Sequence, residues 1–568
     1  MREQFDVAII GGGPGGSSTG ALLKKYNPAL RVAIFEKEEF PREHVGESQL
    51  PACGFYLDEI GCWDKMERAN FPIKVGATYR WGASDQLWDF EFLPLNRFTE
   101  TERPGKYAGQ RRLTAWQVDR EVYDHILLKH AAEMGCEVFE RTLVREVLRG
   151  GDRVLGLRLG DGRQAEARWY IDASGHIGIL RRAMGVECSV PTKLMNIAMW
   201  DYWTDAKWAT TIGQGGTRVQ VLSLGYGWIW FIPISPTRTS CGFICPAEYY
   251  KKSGMSPEEL YAHAVQAEPR VRALTKDAKR EGQVRTTKDW SFVADRMTGE
   301  NWFLVGESGG FADPILAGGL TLTHENARAA AHIILAIDAN DHPAPWLKKH
   351  YERTMRRRVL QYIRFADFWY AANGQFTDLE AITTEIARDA GLKLNAKEAF
   401  RWLSLGGFNP EDGSRPGIGG LDLHAVKQVT GKFMGEAAEW ELNRYNEFRL
   451  NLNSAKQEEL PAFRDGKVTK YKAYRRGDKV LNLTGPNLVV AEVLRKVHDM
   501  PSVAQGLMHA SRQLQGFYAY EGMAALEAML VDGWVVGKVN PKHPLRPYLP
   551  DGPNGHSNFH DNADAIPE

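Results

Sequence analysis

The chain has 568 residues, of which 25% are charged and 43% hydrophobic, as in an ordinary globular protein. These proportions exclude wholesale disorder, a collagen-like fibre and a bundle of membrane spans. Lysines plus arginines number 71 and the acids also number 71, so the formal net charge is zero. We therefore expect neither nucleic acid nor an anionic membrane as a partner. At roughly 150 residues per domain, the length predicts about three to four domain-sized units.

Six cysteines are too few for a disulfide scaffold, and none forms a C-x-x-C pair or a zinc-binding spacing. We predict no metal site and free thiols in a reducing compartment. The first residues lack the long apolar run of a signal peptide, and no run of about 18 apolar residues is present. The expected location is the cytoplasm. The cysteines are Cys53, Cys62, Cys136, Cys188, Cys241 and Cys245.

The first recognisable unit is a strand, a glycine turn, a helix and a second strand. An apolar run over 5–10 ends in Gly11-x-Gly13-x-x-Gly16, a helix is predicted over 17–26, and a second strand ends at Glu36. The glycines allow a tight turn, close approach to a pyrophosphate and close helix–strand packing. The helix N-terminus presents free amides to the phosphates, and Glu36 can bind a ribose hydroxyl. This unit predicts dinucleotide binding.

Further elements follow in alternating character. Short strands are expected over 138–159, a buried strand with a glycine turn at 170–175, and a β-rich aromatic region over 193–243. A strand at 302–306 precedes a long helix over 320–337. We assign 1–345 to one cofactor-binding module, with a β-rich substrate part at about 75–105 and 193–300.

Beyond residue 345 we expect a mainly helical region, 346–568, that covers the substrate, with a small α+β module over 462–534. A helix over 348–372 carries Phe365, Phe368, Trp369 and Tyr370 at helical spacing. Such a stripe either packs in the core or forms a wall of a substrate pocket, and both interpretations stay open.

Two later glycine turns favour FAD over NAD as the dinucleotide. The segment 170–175, which includes Asp172, and the segment 305–314, which includes Gly306, Glu307, Asp313 and Pro314, resemble the later FAD contacts of p-hydroxybenzoate-hydroxylase-like flavoproteins. The resemblance implies an α/β FAD-binding fold of that type. Glu307 stands where these proteins usually have Asp, one methylene shorter.

Three further motifs resemble the FAD-dependent halogenases. Val45-Gly46-Glu47-Ser48 resembles their flavin-contacting strap, and Lys74 in FPIKVG lies where the family has its essential lysine. Gly227-Trp228-Ile229-Trp230-Phe231-Ile232-Pro233 matches their W-x-W-x-I-P signature. Together with the glycine turn, these motifs cover roughly the first 340 residues in the family's order.

The resemblance implies a cofactor site and a catalytic residue. We expect Lys74 to be catalytic and Trp228 and Trp230 to form an active-site aromatic face, because residues two apart on a strand point to one side. Gly318 and Gly319, ahead of the long helix, are the candidates for halide-binding amides. The expected FAD contacts are Gly11, Gly13, Pro14, Gly15, Gly16, Glu36, Lys37, Arg42, Val45, Gly46, Glu47, Ser48, Arg120, Asp172, Gly306, Glu307, Asp313 and Pro314.

The family relays a halogen oxidant to a substrate held away from the flavin. Hypohalous acid, formed from FADH2, O2 and chloride or bromide, meets the lysine as an ammonium that donates a hydrogen bond to it or as a free amine that becomes a haloamine. Burial of Lys74 would favour the free amine. Both forms stay open.

One departure narrows the substrate class. Tryptophan halogenases carry a second catalytic glutamate where this chain has Leu316, so the resemblance implies an electron-rich phenolic or pyrrolic ring, free or tethered to a carrier protein, or an activated carbon as in chloramphenicol-type halogenases. We see no second nucleotide-binding unit and expect a separate flavin reductase to supply FADH2. The alternatives are an FAD-dependent aromatic hydroxylase and, in another class, a non-catalytic flavoprotein.

Overall fold

The computed structural model describes residues 2–81, 86–93, 102–192, 194–288, 291–372, 417–418, 421–422, 440–477, 479–514, 517, 519–545 and 559–561. The elements of the first 190 residues are β1 Arg2–Ile10, α1 Pro14–Tyr26, β2 Val32–Phe35, α2 Ala52–Ile60, α3 Trp63–Arg68, β3 Ile73–Arg80, β4 Trp88–Glu91, β5 Ala115–Trp116, α4 Arg120–Glu133, β6 Glu137–Phe139, β7 Val144–Gly150, β8 Arg153–Leu159, β9 Gln164–Asp172, α5 Ile179–Ala183 and β10 Cys188–Ser189.

The following 180 residues form the large antiparallel region, a return to parallel strands and two long helices. These elements are β11 Asn196–Thr204, β12 Gly216–Leu224, β13 Gly227–Pro233, β14 Arg238–Pro246, α6 Ala247–Ser253, α7 Pro257–Ala267, α8 Pro269–Thr275, β15 Lys279–Arg280, β16 Arg285–Lys288, β17 Phe292–Ala294, β18 Trp302–Leu304, β19 Gly310–Phe311, α9 Gly319–Asp338 and α10 Ala344–Ala372.

The described residues of the C-terminal part form strands and three helices. Its elements are β20 Gly417–Ile418, β21 Leu421–Asp422, β22 Glu447–Leu450, β23 Lys456–Arg464, β24 Lys467–Arg476, β25 Lys479–Asn482, α11 Gly485–Leu494, α12 Met500–Gln513, α13 Ala519–Val531, β26 Val535–Lys538 and β27 Phe559–Asp561.

A seven-stranded sheet carries the dinucleotide-type unit. Its order is β6-β2-β1-β9-β8-β7, and β18 also pairs with β9. The strands β6, β2, β1, β9 and β18 run parallel. Val7 to Ile10 in β1 are all buried, which explains their unbroken apolar sequence, since a central parallel strand is covered on both faces. The β1–α1–β2 unit is the βαβ crossover that the sequence predicts.

A ten-stranded sheet forms the second layer, in the order β15-β11-β14-β13-β12-β3-β4-β27, with β16 on β11 and β5 on β3. Strands β11 to β14 pair antiparallel, whereas β12 lies parallel to β3. One face of this sheet packs against α7 and α8 through the cluster that contains Phe231, Phe243 and Leu260. The other face turns toward the dinucleotide-type sheet, and the site lies between them.

Helix α10 links this body to the C-terminal part. It begins at Ala344, and Phe365, Trp369 and Tyr370 are buried in the main core, whereas the Phe368 side chain lies outside the described part of the structure. The described residues from 440 to 545 have a hydrophobic core of their own, which includes Trp440, Leu507 and Trp534. The proposed boundary at 345 and the module at 462–534 remain predictions.

No helix in the described ranges has the length and apolarity needed to cross a membrane. In the same ranges no three His, Cys, Asp or Glu side chains are grouped to hold a metal ion. All six cysteines fall within the described residues and are free thiols.

Candidate active site

A cavity of about 940 Å³ lies between the two large sheets. It reaches from the glycine turn after β1 to the tryptophan-bearing face of β13, so that one space joins motifs more than 200 residues apart. The residues singled out from the sequence that line it are Gly11, Gly13, Pro14, Gly15, Glu36, Lys37, Arg42, Val45, Gly46, Glu47, Ser48, Lys74, Arg120, Trp228, Trp230, Gly306, Glu307, Pro314 and Gly319.

The glycines of the turn between β1 and α1 have two roles: two of them allow close packing, and one faces the cavity. Gly11 has φ +102°, and a Cβ there would lie 2.3 Å from the Ala173 carbonyl oxygen. A Cβ on Gly16 would lie 1.9 Å from the Gly11 carbonyl oxygen, so both glycines serve close packing. A Cβ on Gly13 would meet only Arg42, at 3.4 Å, among the described residues. Gly13 therefore faces the open cavity.

Two arginines bring positive charge to this turn. Arg120 forms a bidentate pair with Asp124, with Nε–Oδ1 and Nη2–Oδ2 distances of 2.7 and 2.9 Å, and donates from Nη1 to the Val45 carbonyl at 2.9 Å. Arg42 Nη1 lies 3.2 Å from Asp124 Oδ2. Burial would raise the pKa of Asp124, but the guanidinium groups of Arg120 and Arg42 together hold that pKa below its usual range. One carboxylate thus anchors two guanidinium groups at the cavity wall.

Glu36 lies at the end of β2, at the opposite side of the turn. Its Oε2 accepts from the Gly12 amide at 2.7 Å and its Oε1 from the Glu38 amide at 2.9 Å. Lys37 is half exposed and pairs with Glu38 at 3.1 Å. The carboxylate of Glu36 is therefore held against the turn where a ribose would lie next to a bound pyrophosphate.

The residues present fit FAD. Helix α1 starts at Pro14 without a side-chain cap on Gly13, so its first amides remain available to phosphate oxygens. The Ser48 hydroxyl lines the cavity, is buried and has no hydrogen-bond partner among the described residues. Buried polar atoms are normally paired, and a polar ligand would supply the partner.

Lys74 reaches the cavity because β3 contains a bulge. Lys74 pairs with Thr217 of β12, but Gly76 pairs with the next residue, Arg218, so that Val75 is the extra residue. The bulge inverts the alternation of sides and places Lys74 on the same face as Ala77 and Tyr79. Regular alternation would have placed Lys74 on the opposite face from both.

The environment of the Lys74 amine is apolar. The side chain is 3% exposed, and Nζ donates to the Gln49 carbonyl at 2.9 Å and lies 5.4 Å from the centre of the Phe92 ring. Burial lowers the pKa of Lys74 to about 7, against a small opposing effect of Cys53. At neutral pH both the ammonium and the free amine are therefore populated.

Trp228 and Trp230 lie on the cavity face of β13, with ring centres 6.0 Å apart. The Trp228 Nε1 donates to the Tyr370 hydroxyl at 2.8 Å, and the Trp230 Nε1 donates to the Ser240 hydroxyl at 3.1 Å. Their indole N–H groups are therefore engaged within the protein, and the apolar ring surfaces face the cavity.

Of the two glycines expected to bind halide, one lines the cavity and the other does not. Gly319, the first residue of α9, lines the cavity, as does Leu316. A Cβ on Gly318 would lie 2.2 Å from the Tyr362 ring of α10, so this glycine permits close helix packing and is not part of the cavity lining. A halide role for either glycine remains a prediction.

Three other predicted FAD contacts stand behind the lining rather than in it. Gly16 is the packing glycine described above. Asp172 is fully buried and accepts from the Leu180 and Arg181 amides at 2.8 and 3.0 Å. Asp313 accepts from the Ile315 amide and the Tyr370 hydroxyl, and burial raises the pKa of its carboxyl group to about 6. Both aspartates order the turns that carry Gly175, Pro314 and their neighbours.

The cavity wall also contains one residue of the aromatic stripe and several residues that the sequence analysis did not single out. Trp369 of the stripe lines the cavity and is also buried in the main core, so it fits both interpretations of the stripe. Tyr202 does not line the cavity but donates to Glu47, which does, at 3.1 Å, and burial raises the pKa of this glutamate. The additions on β3, β4, β11 and β12 or beside β4 include Ala77, Tyr79, Phe90, Phe92, Ala198, Trp200, Val219 and Val221. A strand alternation pattern indicates such faces only once the bulge and the sheet order are known.

The βαβ turn and the cavity between the sheets place this protein in the class of FAD-binding oxidoreductases with the hydroxylase-like fold. Within that class the chain belongs to the tryptophan halogenase family, whose sequence profile matches residues 6–107 and 95–378. The chain is a flavin-dependent halogenase, as predicted, and family membership favours halogenation over hydroxylation.

Named relatives support this assignment. The chain is 32% identical over 389 residues to a 1H-pyrrole-2-carbonyl-[peptidyl-carrier protein] chlorinase of Pseudomonas fluorescens, with 66% of this chain and 85% of the relative covered. It is 29% identical over 383 residues to a tryptophan 2-halogenase of Chondromyces crocatus, with 66% and 69% covered. The crystal structure of the flavin-dependent halogenase CmlS superposes with TM-score 0.70 at 23% identity, covering 94% of this chain and 96% of that one. The predicted fold class is confirmed.

Proposed function

We propose that this halogenase uses FADH2, O2 and chloride or bromide to halogenate an electron-rich phenolic or pyrrolic ring, with Lys74 relaying the oxidant. The observation that carries the proposal is the buried amine of Lys74 in the wall of the cavity that also contains the dinucleotide turn. A lysine on a solvent-exposed strand edge would have no such role.

The residues that would hold FAD are those of the turn and the strap. Gly13 and the α1 amides, with Arg42 and Arg120, would bind the pyrophosphate, Glu36 a ribose, and Ser48 a polar atom of the cofactor. When bound, reduced FAD supplies two electrons to O2, so that FADH2, O2, halide and a proton yield FAD, hypohalous acid and water.

Lys74 meets the oxidant in one of two protonation states. The ammonium donates a hydrogen bond to hypohalous acid and makes its halogen more electrophilic. The free amine takes the halogen, forming a haloamine and water, and recovers its proton when the ring carbon takes the halogen and loses its own hydrogen. A pKa of about 7 makes both states accessible at neutral pH.

The proposed substrate class rests on an apolar residue, Leu316, in the cavity wall. By resemblance, Leu316 stands where tryptophan halogenases carry a second glutamate, and its apolar side chain lines the cavity. A ring that needs no base for activation suits this wall. The pyrrolyl-carrier chlorinase among the relatives supports a pyrrole or phenol, free or carried as an acyl thioester.

The proposal includes a separate flavin reductase as the source of FADH2, because the chain's dinucleotide-type turn is assigned to FAD. It also includes a cytoplasmic location, supported by six free thiols of the kind that reducing compartments maintain. The halide-binding role of Gly318 and Gly319 is part of the same proposal.

The decisive experiment is mass spectrometry of a phenol and pyrrole panel incubated with the protein, a flavin reductase, NADH, FAD and bromide. The wild type is compared with Lys74→Ala. We expect bromine isotope doublets from the wild type and a loss of product of roughly a hundredfold or more in the variant, because the relay is removed.

The matched control is Lys348→Ala. Lys348 is a half-buried lysine of α10 that donates to the Gly299 carbonyl at 2.9 Å and lies outside the cavity lining. Its variant should retain bromination. Products that gain a single oxygen, with or without Lys74, would contradict the proposal and indicate a hydroxylase. Flavin binding without any product from carrier-bound or free rings would indicate a non-catalytic flavoprotein.

A further inference from the structure

The strand register shows which residues lie side by side on the cavity face of the ten-stranded sheet. On β3 the residues that face the cavity are Lys74, Ala77 and Tyr79. Ala77 is flanked by Phe90 of β4 and Val219 of β12. Because alanine is the smallest side chain of its row, the face has a depression between the lysine and the tyrosine.

Tyr79 closes the far end of that depression with a fixed ring. The ring is stacked on Trp88 at 4.7 Å between centres and an interplanar angle of 24°, and it packs against Trp369 of α10 at 5.2 Å. These contacts hold the phenol in place, so little side-chain entropy remains to be lost when it binds a ligand.

The Tyr79 hydroxyl is a polar group in an apolar wall. Its neighbours across the sheet are Trp88 and Val221, and it has no hydrogen-bond partner among the residues that the structure describes. Burial raises the pKa of this hydroxyl, so it is a hydrogen-bond donor throughout the neutral range. Apolar pockets with one placed polar group use that group to orient a ligand.

We propose that Tyr79 determines substrate specificity: the substrate ring rests over Ala77, and an oxygen attached to the ring accepts a hydrogen bond from the Tyr79 hydroxyl. This inference rests on the proposed function and specifies the substrate as an electron-rich ring that carries an oxygen acceptor. The acceptor is the carbonyl of an aromatic acyl group or the oxygen of a phenol.

The spacing along β3 accommodates this arrangement. Lys74 and Tyr79 are five residues apart with one residue taken up by the bulge, so their Cα atoms lie roughly 13–16 Å apart at about 3.3 Å per residue. One substituted ring fits between the two side chains. Its oxygen then points to Tyr79 and a ring carbon on the other side points to Lys74.

The test is Tyr79→Phe, which removes only the hydroxyl, with three bromination probes. Pyrrole-2-carbonyl N-acetylcysteamine thioester carries an acyl carbonyl, resorcinol carries phenolic oxygens, and pyrrole carries no oxygen. We expect KM to rise about three- to tenfold for the probe whose oxygen is recognised, since one neutral hydrogen bond is lost. KM for pyrrole should stay within twofold.

The three arms identify the acceptor. A rise for the thioester alone assigns the carbonyl, and a rise for resorcinol alone assigns the phenol. KM values that are the same in Tyr79→Phe and the wild type for every probe would overturn the inference. A rise in KM for pyrrole as large as that for the oxygen-bearing probes would also overturn it. The control Tyr226→Phe removes a hydroxyl outside the cavity, from a ring stacked on Tyr249 at 5.0 Å, and should change none of the values.

A second variant tests the depression itself. Ala77→Leu fills the space between Phe90 and Val219, so both oxygen-bearing probes should lose at least tenfold in kcat/KM relative to bromination of monochlorodimedone, a small probe of released oxidant. An unchanged ratio would overturn the placement of the ring over Ala77.

Binding separates this inference from the proposed function. Quenching of tryptophan fluorescence reports binding of each probe to the FAD-loaded protein without turnover. If the wild type brominates nothing yet binds the thioester or resorcinol more tightly than Tyr79→Phe does, the inference stands and the proposed function fails. If the wild type brominates the probes and Tyr79→Phe leaves bromination unchanged, the proposed function stands and the inference fails. The inference is also overturned if neither oxygen-bearing probe binds saturably.

Discussion

Lys74 carries a buried amine, and among the described residues it donates one hydrogen bond, to the backbone carbonyl of Gln49. Phe92 lies on one side, and burial, not a neighbouring cation, accounts for the lowered pKa. An amine kept out of water in this way is close to half protonated at neutral pH, which suits a group that must exchange between ammonium and free amine.

The lowered pKa of Lys74 makes stability depend on pH. The native pKa is about 7 and the ordinary value is 10.5, so between these values the unfolded chain binds more protons than the native chain. The free energy of unfolding therefore rises with pH over this window. Below pH 7 the cost of burying the ammonium is fully present.

We expect Lys74→Met to be more stable than the wild type at pH 6.5, with a difference in Tm that shrinks steadily toward pH 10. Thermal unfolding of both proteins at pH 6.5, 8 and 9.5 measures this difference, and other titrating groups cancel in the comparison. A difference that is constant with pH would show that the amine is solvated in the native state.

At the level of strands, the bulge in β3 is held by a buried charge cluster on the opposite face of the sheet. Arg218, the residue at the register shift, has Nη1 2.9 Å from Asp89 Oδ2 and Nη2 2.8 Å from Glu91 Oε1. Thr78 donates to Asp89 at 2.6 Å. These contacts bridge from β12 across β3 to β4 and so set the register on which the Lys74 side depends.

Replacing the arginine alone takes its guanidinium away from two buried carboxylates. We expect Arg218→Met to lower the free energy of unfolding by about 3–5 kcal/mol, as measured by urea denaturation. The control Arg158→Met breaks a half-exposed pair with Glu146 and should cost less than about 1 kcal/mol. Equal effects of the two variants would contradict a structural role for the cluster.

A second element-level connection ties α10 to the segment before α9. The Tyr370 hydroxyl donates to Asp313 at 2.9 Å and accepts from the Trp228 indole at 2.8 Å. Asn196 of β11 also donates to Asp313, at 3.2 Å. Helix α10, strand β11 and the segment before α9 thus meet at the Asp313 carboxyl group. Asp313 therefore supports the site although it does not line the cavity.

Across the whole molecule, the β23–β24 hairpin connects the C-terminal part to the cofactor-binding body. Arg328 of α9 donates to the Phe463 carbonyl at 2.6 Å, and the Gly466 amide donates to His332 at 3.3 Å. A Cβ on Gly466 would lie 2.5 Å from the Tyr26 ring of α1. The hairpin tip is therefore seated directly on the helix that follows the glycine turn.

Gly466 and Gly477 form a matched pair for testing this contact. Both have positive φ, +75° and +60°, but no described atom lies within 4 Å of a Cβ on Gly477. Each change to alanine costs about 1–2 kcal/mol of backbone strain, and Gly466→Ala adds about 1–3 kcal/mol of overpacking against Tyr26. Urea denaturation with limited proteolysis checks this difference, and faster cleavage near the hairpin is expected only for Gly466→Ala.

Local sequence patterns were sufficient for the cofactor-binding unit. The glycine spacing, the apolar run before it and Glu36 after it specify a βαβ turn, because each part acts within about 30 residues of chain. The pair Trp228 and Trp230 likewise predicts a common face from its spacing alone, and both rings line the cavity.

The substrate end of the cavity depended on long-range structure. A regular strand would have turned Lys74 away from Ala77 and Tyr79, and the bulge that reverses this is held by Arg218, more than 130 residues later. Trp369 reaches the same wall from α10. Short motifs encode their own turns, whereas the side on which a strand residue emerges depends on partners that only folding brings together.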